Sequence, residues 1–323
     1  MKPEILLVLA PSNPPGIVEA LEEHFVVHPI PMSDGMDRVA ARLGGGVRGL
    51  VTTTQAGADA ALIDALPRLE IIVCPGAHVD AIDRAAAARR GIAVTNAPGI
   101  SAPDVADFAI AHLMAVAREI AKADDFVRAG HWLSGAMPFS TRVSGKTLGI
   151  VGMGEIGRIV ARRAEGLDMT VCYHEPERMP DVPYRYFDDL VELARHVDFL
   201  SLHCHAGPKT RHLVDRAVLE ALGPRGILIN LARGLVVDEE ALIEALETGA
   251  IAGAGLDVFE NEPHVPERLR ALTNVILSPH KAAFTVETKA EMLELAMANL
   301  RAHFAGKPLI SPLPAVTAVG AAP

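Results

Sequence analysis

The sequence predicts an α/β protein of parallel sheets with helices on both faces, and three observations predict it. Strand-like apolar runs and helix-like amphipathic runs alternate almost end to end along the 323 residues, the pattern of repeated βαβ units. The length is about twice that of a usual domain, so two domains are expected. In the middle of the chain, KTLGIVGMGEIGRIVARRAEGLDMTVCYHEP (146–176) reads as strand, glycine-rich turn, helix, strand and acid. That is one complete βαβ unit of the kind that holds a dinucleotide.

Taken in order, strands are expected near EILLVLA, HFVVHPI, GLVTT, EIIVC and IAVTN, all before residue 100. Helices fall between them, such as DAIDRAAAARR, which Gly91 stops. SAPDVADFAIAHLMAVAREIAKADDFVRAG begins a long helix, with Ser101 as N-cap, Pro103 in the first turn and Asp104 completing a capping-box pattern. Beyond the central unit, strands are expected at VDFLSLH, GILINL, AGAGLDV and NVILSP, separated by helices such as DEEALIEALE. TKAEMLELAMANLRAHFAG is a final amphipathic helix, expected to return and pack on the first domain. The first domain is then discontinuous, residues 1–100 with 285–323, and surrounds a second domain, 101–284.

Within the central unit each residue type has a physical job. Gly152 permits the tight turn out of the strand, Gly154 lets backbone approach a pyrophosphate, and Gly157 lets helix and strand pack closely. Met153, Glu155 and Ile156 fill the turn and open the helix, whose first N–H groups lack helical partners and suit phosphate oxygens. Glu175 stands about twenty residues beyond the glycines, where an acid accepts hydrogen bonds from an adenosine ribose. Glycines alone would mean only turns; strand before, helix after and acid in place make the dinucleotide reading.

Bulk properties exclude other classes. A net charge of −10 and a pI near 5.7 argue against a nucleic-acid partner, which needs clustered Lys and Arg. Cys74, Cys172 and Cys204 have no metal-ligand spacing, so no metal site is expected, and reduced, buried thiols in a cytoplasmic protein are the simplest reading. The opening ILLVLA run is too short for a signal-peptide core, and no run approaches the ~20 apolar residues of a membrane span.

Several motifs resemble one family, the D-isomer-specific 2-hydroxyacid dehydrogenases. INLARGLVVDEEAL is similar to its N-x-x-R-G-x-x-V-D-E block, AGAGLDVFENEP to its G-x-D-V-F-x-x-E-P block, and NVILSPH to its strand ending in Pro-His. VTNAPG, DVADFAI, VRAGHW and LISPL resemble the glyoxylate/hydroxypyruvate reductase branch. The resemblance implies a Rossmann NAD-binding domain inserted into a flavodoxin-like α/β substrate domain, a nicotinamide cofactor, a small 2-oxo or 2-hydroxy acid as substrate, and a homodimer. Trp132, in the segment that forms the family's dimer arm, is then expected at that interface.

On the same resemblance, Arg233 is the catalytic arginine, His280 the proton donor and Glu262 the carboxylate behind it. The chemistry suits the types. A guanidinium fork binds a carboxylate bidentately, an imidazole donates protons near neutral pH, and a carboxylate beside it favours the imidazolium and fixes the ring. A lone R-G, or any one of the 13 histidines, would mean little outside these blocks. Glu260 is a near neighbour that could be mistaken for Glu262. Asp257 matches a residue that bonds the nicotinamide carboxamide, with a helix or turn cap as the alternative. Leu231 and Gly207 match backbone positions lining the nicotinamide side and the dinucleotide groove.

VCPGAHVDAID aligns with the family's G-V-G loop, whose amides cup the substrate carboxylate. Gly76 and Ala77 fit, but His78 stands where Gly is usual. It is strained if the position needs a positive φ; otherwise its ring faces substrate or solvent. The family's H-I-G is here His280-Lys281-Ala282, which puts the adjoining backbone in question. Tyr173 is followed by His174 and Glu175 rather than by a basic residue, which favours NAD over NADP, with Arg178 nearby as the counter-indication. Rival readings are a same-scaffold dehydrogenase of phosphite or formate, and a non-catalytic NAD-sensing binding protein.

Overall fold

The computed structural model describes residues 2–11, 13–33, 35, 40 and 43–314. The chain forms two compact units, Met1–Ser101 with Phe284–Pro323, and Ala102–Ala283.

In the first unit, β1 (Glu4–Leu9), β2 (Val26–Pro31), β3 (Val47–Val51), β4 (Ile71–Val73) and β5 (Ala93–Thr95) form one parallel sheet in the order β2-β1-β3-β4-β5. That is the flavodoxin-like order. Alternation along β1 divides the core between the two faces. Leu6 and Val8 pack with Leu62, Ile63 and Ile72 on one side. Ile5 and Leu7 pack on the other with Ala296, Met297 and Leu300 from the helix Val286–Phe304. Thr285 caps that helix by accepting a hydrogen bond from the Thr288 amide at 3.1 Å.

In the second unit, β6 (Thr147–Val151), β7 (Thr170–His174), β8 (Arg185–Phe187), β9 (Phe199–Leu202), β10 (Ile227–Asn230), β11 (Gly253–Leu256) and β12 (Val275–Leu277) are all parallel, in the order β12-β11-β10-β9-β6-β7-β8. The order reverses between β6 and β9, the switch point where ligands collect in a doubly wound sheet. β8 was not anticipated. It is a three-residue edge strand, too short to carry a readable period.

The segment read as one long helix from Ser101 is two helices, Ala102–Ala117 and Ile120–Arg128. Glu119 breaks it by entering the left-handed region at φ 53°. No Gly or Pro announces the break, since the left-handed turn falls on a residue that also holds Lys122 in an ion pair of 2.7 Å. The first helix buries Val105, Ala106, Ala109 and Leu113 against Leu148, Ile150 and Ile229. The second buries nothing. Among the described residues, no helix is long and apolar enough to cross a membrane.

Candidate active site

Because every strand of the second sheet is parallel, the segments that follow their C-termini gather on one edge. Gly152 follows β6, His203 follows β9, Arg233 follows β10, Asp257 follows β11 and His280 follows β12.

The turn after β6 needs its glycines. Gly152 has φ 97°, and a Cβ there would lie 2.5 Å from the Cys204 amide nitrogen. A Cβ on Gly157 would strike the Gly152 carbonyl oxygen. Gly154, at the N-cap of the helix Glu155–Glu165, has nothing within 4 Å on its Cβ side. Open backbone at the head of a helix with orphaned N–H groups fits the pyrophosphate of a dinucleotide. Met153 is fully buried, Glu155 exposed and Ile156 half-buried. Glu175, one residue past β7, is half-buried, and its Oε1 accepts a hydrogen bond from the Met153 amide at 2.5 Å. The acid is therefore held against the glycine turn. Gly207 lies exposed in a turn closed by the Thr210 hydroxyl, 2.8 Å from the Gly207 amide.

Around β10 and β11 the loops are locked to one another. Asn230 ends β10 inside the core, donates from Nδ2 to the Arg233 carbonyl (3.1 Å) and accepts from the Ala232 amide (3.0 Å). Arg233 is half-buried, with Nη1 2.6 Å from the Ala232 carbonyl. Gly234 is butted against backbone at Phe259 and Glu260, so that any Cβ would collide with the Phe259 carbonyl. Asn230 and Gly234 stood in the sequence only as letters of the N-x-x-R-G block, with no role attached to either. The signal was there: a polar residue closing the buried run ILIN, and a Gly directly after the arginine. Leu231, also on this loop, is buried.

Glu262 accepts from the Phe259 amide through Oε1 (3.1 Å) and faces His280 Nδ1 through Oε2 at 2.7 Å. Burial raises the Glu262 carboxyl, but the His280 hydrogen bond and charge, the Phe259 amide and the Arg233 charge outweigh it and leave it below the ordinary carboxylate value. Arg233, Glu262 and His280 are thus brought together, the last two in direct contact. Glu260 turns elsewhere, to His212 and Arg211. With Nδ1–H donated to Glu262, the Nε2 of His280 is left for a reacting group.

His280 has φ 48°, a left-handed backbone that non-glycine residues rarely hold. Asp257, almost fully buried, fixes it. Its carbonyl accepts the His280 amide (2.8 Å), and its carboxylate accepts the Lys281 and Ala282 amides, both at 2.9 Å. The departures from the family's H-I-G leave this anchoring intact. A carboxamide contact from Asp257 would fall to the one lone pair Oδ2 retains.

In the first unit, the loop after β4 curls around the Cys74 thiol, which burial pushes up to about 11. The carbonyls of Gly76, Ala77 and His78 are held by the Ala97 amide (2.9 Å), Asn96 Nδ2 (2.7 Å) and Cys74 Sγ (3.5 Å). In trans peptides the next N–H points the opposite way, so the amides of Ala77, His78 and Val79 turn away from those partners. Among the described residues, the non-glycine positive-φ positions are Glu119, Asp168, His212 and His280. His78 is not one of them and sits there without backbone strain.

Burial drives His203, whose backbone abuts Gly152, down to about 4, so it is neutral. Its Nε2 lies 2.8 Å from the Ser201 hydroxyl. Among the described residues no cluster of three or more His, Cys, Asp or Glu could hold a metal.

Residues 110–282 match the family model described as D-isomer specific 2-hydroxyacid dehydrogenase, NAD binding domain. The chain is 46% identical over 267 residues to a hydroxyphenylpyruvate reductase of Plectranthus scutellarioides, covering 83% of this chain and 85% of that protein. It resembles the solved structure of a 2-hydroxyacid dehydrogenase from Ketogulonicigenium vulgare Y25, with a TM-score of 0.92, 43% identity, and coverage of 98% and 100%. It also resembles an NADPH-dependent glyoxylate/hydroxypyruvate reductase from Sinorhizobium meliloti in complex with NADP and malonate, with a TM-score of 0.88, 38% identity and 97% coverage of each chain.

Proposed function

The chain belongs to the D-isomer-specific 2-hydroxyacid dehydrogenase family, and from that premise we propose that it reduces glyoxylate, hydroxypyruvate or a related small 2-oxo acid, with NADH as the preferred cofactor. It is a 2-keto acid reductase that uses a nicotinamide dinucleotide. The observation that carries the mechanism is the 2.7 Å contact between His280 and Glu262, with the Arg233 charge close enough to lower the Glu262 carboxyl.

Hydride comes from the reduced nicotinamide when the cofactor is bound. Arg233 grips the substrate carboxylate and polarises the carbonyl. His280, through Nε2, gives its proton to the nascent alkoxide, and Glu262 holds the ring and balances its charge. The family resemblance further assigns substrate contacts to Gly76, Ala77 and His78 of the first unit. Gly152, Met153, Gly154, Glu155, Ile156 and Gly157 would hold the pyrophosphate, with Gly207, Leu231 and Asp257 on the remaining cofactor contacts. Glu175 supports NADH, because a carboxylate fixed at the end of β7 repels a 2′-phosphate. The NADPH-dependent relative is the reason to test this directly.

A homodimer is part of the reading. Ile120, Val127, Trp132 and Leu133 are exposed apolar side chains on a helix and turn that bury nothing of their own, and Phe139 in the segment that follows is exposed as well. Exposed apolar side chains concentrated in one segment support an interface, and light scattering at micromolar concentration tests it.

The deciding experiment is a panel of glyoxylate, hydroxypyruvate, phenylpyruvate, phosphite and formate, each with NADH and NADPH, read at the NADH absorbance band. Turnover of a 2-oxo acid, faster with NADH, is expected. Turnover of phosphite or formate alone overturns the substrate reading. Tight NADH binding with no turnover favours a cofactor-sensing protein.

A further inference from the structure

One titratable side chain in the second unit has no part in the chemistry above. His112 lies on the helix Ala102–Ala117, 4% exposed, in the same buried stripe as Ala109 and Leu113. An imidazole in such a stripe loses hydration that an aliphatic side chain would not need, so its polar atoms must find partners.

Its Nε2 is 3.1 Å from the Ser278 hydroxyl, and that hydroxyl is 2.5 Å from Asp257 Oδ1. The directions are forced. An ionised carboxylate only accepts, so the single Ser278 proton goes to Asp257. The Ser278 oxygen must then accept from His112, which places the ring proton on Nε2. Nδ1 is the bare nitrogen, and it has no partner among the described residues. Burial lowers the His112 pKa, partly offset by the Asp257 charge, which agrees with a neutral ring.

The surroundings are shaped for this ring. Gly255 of β11 faces it, and a Cβ there would lie 3.0 Å from both His112 Cβ and Nδ1. Phe108, one turn earlier, packs against it with the ring planes tilted by 49° and the centroids 4.7 Å apart. The ring has one place to be.

We propose that His112 is a positioning residue for the His280 loop, acting through Ser278 and Asp257. The proposal rests on the reading of His280 as proton donor. Asp257 holds the left-handed His280 backbone by accepting the amides of residues 280, 281 and 282. Ser278 orients the Asp257 carboxylate, and the His112 N–H decides where the Ser278 proton points. Without that N–H, the hydroxyl can turn to its other acceptor, the Leu256 carbonyl at 3.5 Å. Asp257 Oδ1 then loses a donor, and the strained turn loosens where the proton is delivered.

The test compares His112→Leu, His112→Gln and Ser278→Ala in the full chain. Leu fills the space without an N–H, while Gln can present one near the Nε2 position. For His112→Leu, kcat should fall roughly ten- to hundredfold, the scale of a small misplacement of a reacting group, while KM and NADH binding stay close to wild type. Gln should recover much of kcat, and the His112→Leu/Ser278→Ala double variant should be no worse than the poorer single one. A readout that needs no turnover is amide hydrogen exchange: Lys281 and Ala282 should exchange faster in His112→Leu and Ser278→Ala, and near wild type in His112→Gln. Wild-type kcat in His112→Leu overturns the proposal, as does an activity loss that only follows a fall in Tm and that Gln does not rescue. Should His112→Leu fail to fold, Ser278→Ala with wild-type kcat and exchange overturns it equally. If instead His280→Ala keeps wild-type turnover, the proton-donor reading beneath it fails, and the exchange result still reports on the hydrogen-bond chain.

Discussion

Nδ1 of His280 lies 2.7 Å from Oε2 of Glu262, while Oε1 of the same carboxylate takes the Phe259 amide. The carboxylate cannot swing without losing a backbone partner, so the imidazole it holds is aimed. Replacing His280 with Ala should lower kcat by roughly 10²–10⁴-fold, the worth of a positioned general acid. NADH binding, followed by fluorescence titration, should be unchanged.

Glu262→Gln keeps the shape and removes the charge. The Glu262 carboxyl sits below its ordinary 4.5 in the folded protein, so its ionised form contributes stability above that value. The contribution disappears as pH falls through the lower folded value. The Tm difference between wild type and Glu262→Gln should therefore be full at neutral pH and vanish in acid. A difference that grows toward low pH contradicts the assignment.

Arg233→Lys preserves charge and loses the planar fork. Two charge-assisted bonds become one flexible contact, so kcat/KM for the keto acid should drop about a hundredfold, on the order of 3 kcal/mol. Steady-state kinetics with NADH saturating measures it, and equal kcat/KM would remove Arg233 from the carboxylate.

At Gly234 even one methyl should be costly. The Cβ of Gly234→Ala would meet the Phe259 carbonyl, and overpacking of this kind typically costs about 1–3 kcal/mol. Thermal unfolding should show a Tm lowered by several degrees, together with weakened turnover.

Glu175→Ala removes both the carboxylate and the acceptor of the Met153 amide. The ratio of kcat/KM with NADPH to that with NADH should rise on the order of tenfold, about 1.4 kcal/mol. No movement in the ratio means that discrimination lies elsewhere.

The dinucleotide turn was legible because its chemistry constrains residue type at fixed spacing: only glycine tolerates φ 97° at Gly152 or the contact at Gly157. The strand-end residues Arg233, Asp257 and His280 were legible through the motif blocks around them. What stayed hidden depends on contacts distant in sequence. Nothing in IAHLMAV tells that His112 meets Ser278, 166 residues later. Loop carbonyls leave no mark on residue type either, so the tethering of Gly76, Ala77 and His78 could not be read. The helix break at Glu119 was missed because a left-handed glutamate looks like any other helix former.

The abutment of Gly234 on Phe259 and Glu260 has a dynamic corollary. The stretch bearing the guanidinium and the stretch bearing the carboxylate share one backbone seam, so they travel as a single body. A reporter group on Leu235, which is 40% exposed, would register displacements of Glu262 as faithfully as those of Arg233. Ligand-driven rearrangement at this edge should then appear as one concerted relaxation rather than two.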